Sequence, residues 1–411
     1  MINITNKKDC CGCSACVQRC PKQCISLHED NEGFLYPHVN TNDCINCGLC
    51  EKVCPWLNRQ NKLQPLEVLA VKNRNEEERM ASSSGGVFIA LAKKVIADGG
   101  VVFGAVFDEK WEVKHTYAEK IEDVKPMMGS KYLQSRIENS YKDAENFLKD
   151  GRLVFFTGSP CQITGLHNYL RKNYSNLISA DFLCHGVPSP GVWRKYLNEA
   201  FDRSEISPTS EKKAVSYSST SLTYKIKNIE FRNKTFRGWK NFSLVINGTL
   251  SESGENSILL SESFHQNPYM QGFLSDIYLR PSCYKCKCKN GISHSDITIG
   301  DFWGAPKTMP DFDDDKGIGL VLVNTNKGKV IFDSLDMDVR KTTIENARIS
   351  NGGFNDNTAE HPNRKIFFSM YQNSIDFIPN INKTLKMSLF KMVITKIKRL
   401  IHKIIRKLIK K

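Results

Sequence analysis

The stretches CCGCSACVQRCP, residues 10–21, and CINCGLCEKVCP, residues 44–55, carry one spacing twice: C-x2-C-x2-C-x3-C-P. The first run sets Cys10, Cys13, Cys16 and Cys20 before Pro21, and the second sets Cys44, Cys47, Cys50 and Cys54 before Pro55. Each iron of a cubane needs one thiolate, and a C-x2-C-x2-C loop bends tightly enough to bring three sulfurs to one cube. In this spacing the fourth sulfur comes from the other run. Two [4Fe-4S] clusters are therefore expected. One would sit on Cys10, Cys13, Cys16 and Cys54, the other on Cys44, Cys47, Cys50 and Cys20. Gly12, Ser14, Ala15 and Gly48 are small enough for backbone amides to approach the sulfurs. Structural zinc usually reads instead as two CxxC pairs. Cys11 and Cys24 fall outside the pattern and read as small buried apolar residues.

A chain of 411 residues has room for two or three domains. Apolar content of 40% and charged content of 25% suit ordinary globular cores. The start, MINITNKKDCC, has no apolar signal region. No stretch approaches the roughly 18 apolar residues of a membrane span. The expected compartment is a reducing cytoplasm, and the spacing among the fifteen cysteines points to metal ligation and not disulfides. The net charge of +14 is uneven. Residues 383–411 hold eleven Lys and Arg and no Asp or Glu, which leaves about +3 for the rest. The basic character thus belongs to the tail, and no nucleic-acid partner is expected for the body.

In chain order, residues 1–60 form a ferredoxin-type module, with a hairpin strand at 33–37. Residues 61–65 are a polar linker. From 66 the pattern becomes α/β: a strand at 66–71, Ser82-Ser83-Ser84-Gly85-Gly86, a helix over 87–98, a strand at 101–107 and a partner at 111–118. A serine-glycine loop that opens a helix is an anion site in principle, because free N–H groups point outward there. A well-capped helix start is the alternative. Gly129-Ser130-Lys131-Tyr132 is a compact loop, followed by helical sequence over 137–149. A strand at 152–156 turns through Thr157-Gly158-Ser159-Pro160-Cys161-Gln162 into a helix. The strand 177–182 ends in Cys184-His185-Gly186-Val187-Pro188. In open α/β sheets ligands bind at such carboxyl ends. Residues 204–262 read as a polar hairpin insertion or lid. A helix over 268–279 leads into Arg280-Pro281-Ser282-Cys283-Tyr284-Lys285-Cys286. Strands at 296–301 and 317–324 and a helix over 327–335 follow.

These motifs, with Ser295-Asp296-Ile297-Thr298-Ile299-Gly300-Asp301-Phe302-Trp303-Gly304, resemble in order the beta subunit of coenzyme F420-reducing hydrogenases and dehydrogenases. The resemblance is closest to stand-alone bacterial members with a ferredoxin domain in front. It implies domains over 66–150 and 151–335, the second carrying the 204–262 insertion. It implies an FAD flavoprotein oxidoreductase. Flavin contacts would fall on Ser83, Ser84, Gly85, Gly86, Lys131, Tyr132, Gly158, Ser159 and Gln162. A third [4Fe-4S] cluster on Cys161, Cys184, Cys283 and Cys286 would fit, with zinc or inert thiols as the alternatives and Cys288 as a spare ligand. His185 is a candidate proton donor or a structural hydrogen-bonding residue, and Asp296 and Asp301 carry the same choice. The ferredoxin module and the insertion set this chain apart from the hydrogenase subunits, so F420 itself need not be the substrate.

Residues 387–411 place Leu389, Val393, Ile397, Leu400, Ile401, Ile404, Ile405 and Leu408 three and four apart, opposite Lys and Arg. This basic amphipathic helix, within the tail 383–411, suits an anionic membrane surface; a protein groove or simple packing are the alternatives. The expectation is a cytoplasmic protein, peripheral at the inner face of the membrane. It would take electrons from a donor protein or reduced carrier and pass them through FAD to an organic substrate, such as a precursor in surface-polysaccharide synthesis. The alternative is an electron-transfer subunit that docks to a separate catalytic partner.

Overall fold

The computed structural model describes residues 1–201, 224–250, 255–354, 357–373 and 376–386. The fold is α/β. Its first element pair is an antiparallel hairpin of β1 (Ile25–Glu29) and β2 (Leu35–Val39), with Ile25 opposite Val39. Asp30 closes the turn by accepting from the N–H groups of Glu32 and Phe34. Gly33 sits at φ +80°, and a Cβ there would lie 2.6 Å from Gly191 Cα. Two backbones cross at that point, and only glycine permits it. The hairpin turn therefore rests on the start of the helix Pro190–Phe201.

The body is built on one eight-stranded sheet, in the order β13-β3-β12-β11-β7-β6-β4-β5. Its strands are β3 (Glu67–Asn73), β4 (Val101–Phe107), β5 (Val113–Ala118), β6 (Val154–Gly158) and β7 (Leu177–Phe182). The others are β11 (Ile297–Asp301), β12 (Gly319–Val323) and β13 (Met337–Lys341). β4, β6, β7 and β11 run parallel. Such strands are buried on both faces, which is why their sequences are near-continuous Val, Ile and Phe. Alternate residues face opposite layers. Val102, Phe155 and Ile178 meet the helix Val87–Ala97. Val101, Phe103, Val154, Phe156 and Leu177 meet the helices Ser140–Lys149 and Pro160–Leu170. Each such buried side chain contributes roughly 1.5–3 kcal/mol. Cys11, Cys13, Val53 and Trp56 of the N-terminal module join this second layer, so module and body share one core.

A separate antiparallel sheet holds β8 (Tyr224–Asn233), β9 (Ser243–Leu250) and β10 (Asn256–Ser263) in the order β10-β9-β8. The sequence suggested only a hairpin there. Arg232 on β8 and Asp301 at the end of β11 bind it to the large sheet through two hydrogen bonds of 2.8 and 3.1 Å. Trp239 stacks on Trp303 at 4.5 Å beside them. The helix expected over 268–279 is shorter, Pro268–Leu274, and Asp276 follows at φ +64°. β13 and the helix Arg364–Asn373 are additional elements. Strands on both sides of residue 150 share the one large sheet. Residues 204–223 and 251–254 of the insertion and the amphipathic segment 387–411 lie outside the described residues.

Candidate metal centre

The two cysteine runs bend through left-handed residues: Gly12 and Ser14 in the first, Asn46 and Gly48 in the second. Cys20, Cys44, Cys47 and Cys50 all line one recess of about 350 Å³ of empty space, part of it open to solvent. These are the four cysteines expected for one cluster. The backbone N–H of Ile2 donates to Cys50 Sγ at 3.2 Å. Cys24 lies 3.4 Å from Cys20, sulfur to sulfur. That contact, with burial, pushes the Cys24 thiol up to about 11. Cys24 therefore stays protonated and can donate to its neighbour.

Cys10, Cys13, Cys16 and Cys54 form the second group. Burial raises the thiols of Cys16 and Cys54, and Cys10 raises both further. Cys13 is lowered by its hydrogen bond to Cys11, yet burial, Cys16 and Cys54 raise it overall. Thiols that resist ionisation together are suited to ionise around bound cations, which deprotonate a coordinating thiol outright. The donor set thus fits a cluster. Among the described residues no group of three or more His, Cys, Asp or Glu could hold a single metal ion. A cubane asks for a different arrangement, since each thiolate meets its own iron.

The body cysteines come from three parts of the chain. Cys161 opens the helix after β6, Cys184 follows β7, Cys283 lies within a short turn at Pro281–Lys285, and Cys286 follows that turn directly. The fold brings them together. Burial raises Cys184 well above its ordinary value, and Cys283, Cys161 and Cys286 add to it. Burial likewise drives Cys283 up to about 12. Cys286 is lowered to about 6, first by its hydrogen bond to the Cys288 thiol. Cys288 is fully buried and backs Cys286. Cys11 is buried, as expected, in the cluster that also holds Cys13 and against which Cys161 packs.

The residues expected to touch a flavin divide into two groups. Ser83 accepts from the N–H and hydroxyl of Ser130 at 2.7 and 2.9 Å, beside Lys131. Gly158, Ser159 and Gln162 form the turn after β6, where Ser159 N–H donates to Gln162 Oε1 at 2.9 Å. His115, unnoticed in the sequence, joins the groups. It hydrogen-bonds Thr157 O at 3.0 Å, and burial lowers it to about 4. Its Nδ1 is buried with no partner among the described residues. Its position two after buried Val113 on an alternating strand was the available signal.

Several expected contacts are engaged within the protein. Ser84 donates to Ile318 O at 2.8 Å, and Gln162 Nε2 donates to Ser135 Oγ at 2.8 Å. A Cβ on Gly85 would stand 2.3 Å from Val71 O, so that glycine serves the contact of loop and strand. Lys131 Nζ donates to Met128 O at 3.0 Å, and burial lowers it to about 7. Tyr132 accepts from Arg232 at 3.2 Å. Gly86, at φ +80°, opens the helix Val87–Ala97, which has no side-chain cap. A flavin here would be met by backbone N–H groups and glycine surfaces more than by side chains.

His185 Nε2 lies 2.6 Å from Asp276 Oδ1. Its ring meets Phe273 edge-on at 5.2 Å, and Tyr132 packs on the same Phe273 at 4.7 Å. Asp296 is structural: it accepts from Ser179 and Thr325. Asp301 accepts from Arg232 and from Trp239 Nε1. A cavity with about 590 Å³ of empty space, part of it open, adjoins Cys184 and is lined also by Asp181, Lys289, Thr298 and Phe354. Among the described residues no helix is long and apolar enough to cross a membrane.

Residues 9–58 match the family described as a 4Fe-4S dicluster domain. Residues 151–348 match the family described as the C terminus of the coenzyme F420 hydrogenase/dehydrogenase beta subunit. A chain from the xenon-derivatised F420-reducing [NiFe] hydrogenase complex of Methanosarcina barkeri is similar at 16% identity and a TM-score of 0.41. That similarity covers 80% of this chain and 93% of that one. No curated protein matches the chain. The resemblance read from the motifs holds over both matched segments, and with it an iron–sulfur, oxidoreductase-related chain.

Proposed function

From a chain whose residues 9–58 match a 4Fe-4S dicluster domain and whose residues 151–348 match the C-terminal part of coenzyme F420 hydrogenase/dehydrogenase beta subunits, we propose an iron–sulfur flavoprotein oxidoreductase acting on an organic substrate. Cys20, Cys44, Cys47 and Cys50 would hold the outermost cluster. Cys10, Cys13, Cys16 and Cys54 would hold the next, and Cys161, Cys184, Cys283 and Cys286 a third. The observation that carries this reading is packing: Cys54 belongs to one buried cluster with Cys16, Cys20, Cys44 and Cys50 and to another with Cys13, Cys161 and Cys286. The three thiol groups are thereby neighbours. FAD, when bound by the 83–86, 131–132 and 158–162 segments, would supply the exchange between one-electron and two-electron chemistry.

The chain's own residues have distinct tasks in this reading. His185, with Nε2 donating to the Asp276 carboxylate, would accept a proton at Nδ1 and pass it on from there. Phe273 and Tyr132 wall that position on its apolar side. A substrate pocket at the flavin face would favour an enzyme over a subunit that only relays electrons; the cavity beside Cys184 is lined by other residues. The basic segment 387–411 would hold the protein against an anionic membrane surface, which suits a lipid-linked or polysaccharide precursor as substrate. Deleting it should abolish binding to anionic liposomes; unchanged binding overturns that part.

The deciding experiment is the iron and flavin content of protein purified without oxygen. Four irons per cubane predict about twelve irons, together with one FAD. About eight irons and no flavin would leave only the N-terminal clusters.

A further inference from the structure

The run Cys286-Lys287-Cys288-Lys289 sends its two lysines to different places. Lys287 lies over the Trp56 ring, 5.3 Å from its centroid. Lys289 turns inward, is only 5% exposed, and its Nζ has no hydrogen-bond partner among the described residues. It lines the same cavity wall as Cys184. The one buried carboxylate on that wall, Asp181, is already satisfied by Ser293, Ser295 and Thr298. The thiol on that wall is Cys184, one of the four proposed ligands of the body cluster, and Lys289 follows Cys286 by three residues. A buried ammonium without a counter-charge is costly, so the fold that retains one supplies an anion.

We propose that Lys289 is the counter-charge of the body cluster held by Cys161, Cys184, Cys283 and Cys286, and that it sets that cluster's reduction potential. The inference rests on the third cluster proposed above. Four thiolates leave a cubane net negative, and each electron added makes it more so. A cation enclosed with it in a low-dielectric interior offsets that charge with little screening, and local charge is one of the terms that set cluster potentials. When bound, that cluster would be reduced by one electron with no bond formed or broken, and the role of Lys289 would be to offset the added charge. A less negative body cluster would draw electrons inward.

The test is a potentiometric titration followed by electron paramagnetic resonance, on the full chain purified without oxygen. It compares wild type, Lys289→Met and Lys289→Arg. In Lys289→Met the third signal should move to more negative potential while the two N-terminal signals stay in place. Lys289→Arg, which keeps the charge, should stay close to wild type. Loss of the third cluster in Lys289→Met alone also supports the role, because charge is then needed for assembly. A third signal that does not move in Lys289→Met overturns the inference and leaves the cluster standing, as does its loss in both variants. About eight irons in wild type overturn the third cluster itself, before any variant is compared.

Discussion

Arg280 Nε donates to Cys10 O at 2.8 Å, and its Nη2 stands 3.5 Å from Cys10 Sγ, across 270 residues of sequence. The same guanidinium donates to Leu35 O and Gln134 Oε1, both at 2.9 Å, and lies 4.2 Å over the Tyr36 ring. Arg280 is fully buried. One body residue thus fastens the first cysteine loop and the hairpin together. Arg280→Met should orphan these acceptors at roughly 1–3 kcal/mol each. Denaturant unfolding should show the loss, and limited proteolysis in the 61–65 linker should quicken. An unchanged cleavage rate would mean that the shared core alone holds the module.

Gly165 lies in the middle of the helix Pro160–Leu170, where alanine would ordinarily be favoured by about 1 kcal/mol. Here a Cβ would stand 2.9 Å from Tyr141 Oη and 3.1 Å from Cys13 Sγ. Gly165→Ala should therefore displace Cys13 and lower the iron content. Gly352→Ala, whose Cβ meets nothing within 4 Å, is the control and should retain wild-type iron.

Lys131 is held at about 7, against an ordinary 10.5, because burial disfavours its charged form. Between those values the unfolded chain binds the additional proton, so this group's contribution to stability rises with pH across that window. The difference in Tm between wild type and Lys131→Met should shift in favour of wild type from pH 7 to pH 9. A difference that is flat with pH would show that Lys131 keeps its charge in the fold.

Asp301 accepts from Arg232 at 2.8 and 3.1 Å and from Trp239 at 3.1 Å. The Arg232 side chain is 4% exposed. Asp301→Asn leaves an enclosed guanidinium without its counter-charge, a loss of roughly 3–5 kcal/mol. The three-stranded sheet should come loose first, seen as faster amide exchange over β8 and β9 than over β4 and β6.

The cysteine runs could be read because cluster ligation is set by local spacing. Val87–Ala97, β4, β6 and β7 could be read because their apolar runs match a helix or a doubly covered strand. β13 was missed for the opposite reason. Met-Asp-Val-Arg-Lys is an edge strand, and its Val339 is exposed. Lys289 was invisible because Lys-Cys-Lys-Cys-Lys reads as solvated charge, and only the loops from 181–184 and 286–291 decide that one lysine faces inward. Cys11 was read by size, and it is buried as read; that Cys161 packs against the same cluster could not be seen, because another part of the chain delivers it. The flavin motifs could be located, but the sequence did not reveal that Ser84, Gly85 and Gln162 are spent on the loop's own bonds.

The bonding of Arg280 to Cys10 and Leu35 has a kinetic consequence. A module joined only by a flexible linker would deliver electrons by diffusing onto its acceptor, at a rate sensitive to viscosity and salt. A module clamped by an enclosed guanidinium would keep the proposed donor and acceptor at one separation, so electron tunnelling across that junction would not wait on diffusion. Ionic strength should then slow the encounter with an external reductant while leaving the internal transfer rate untouched.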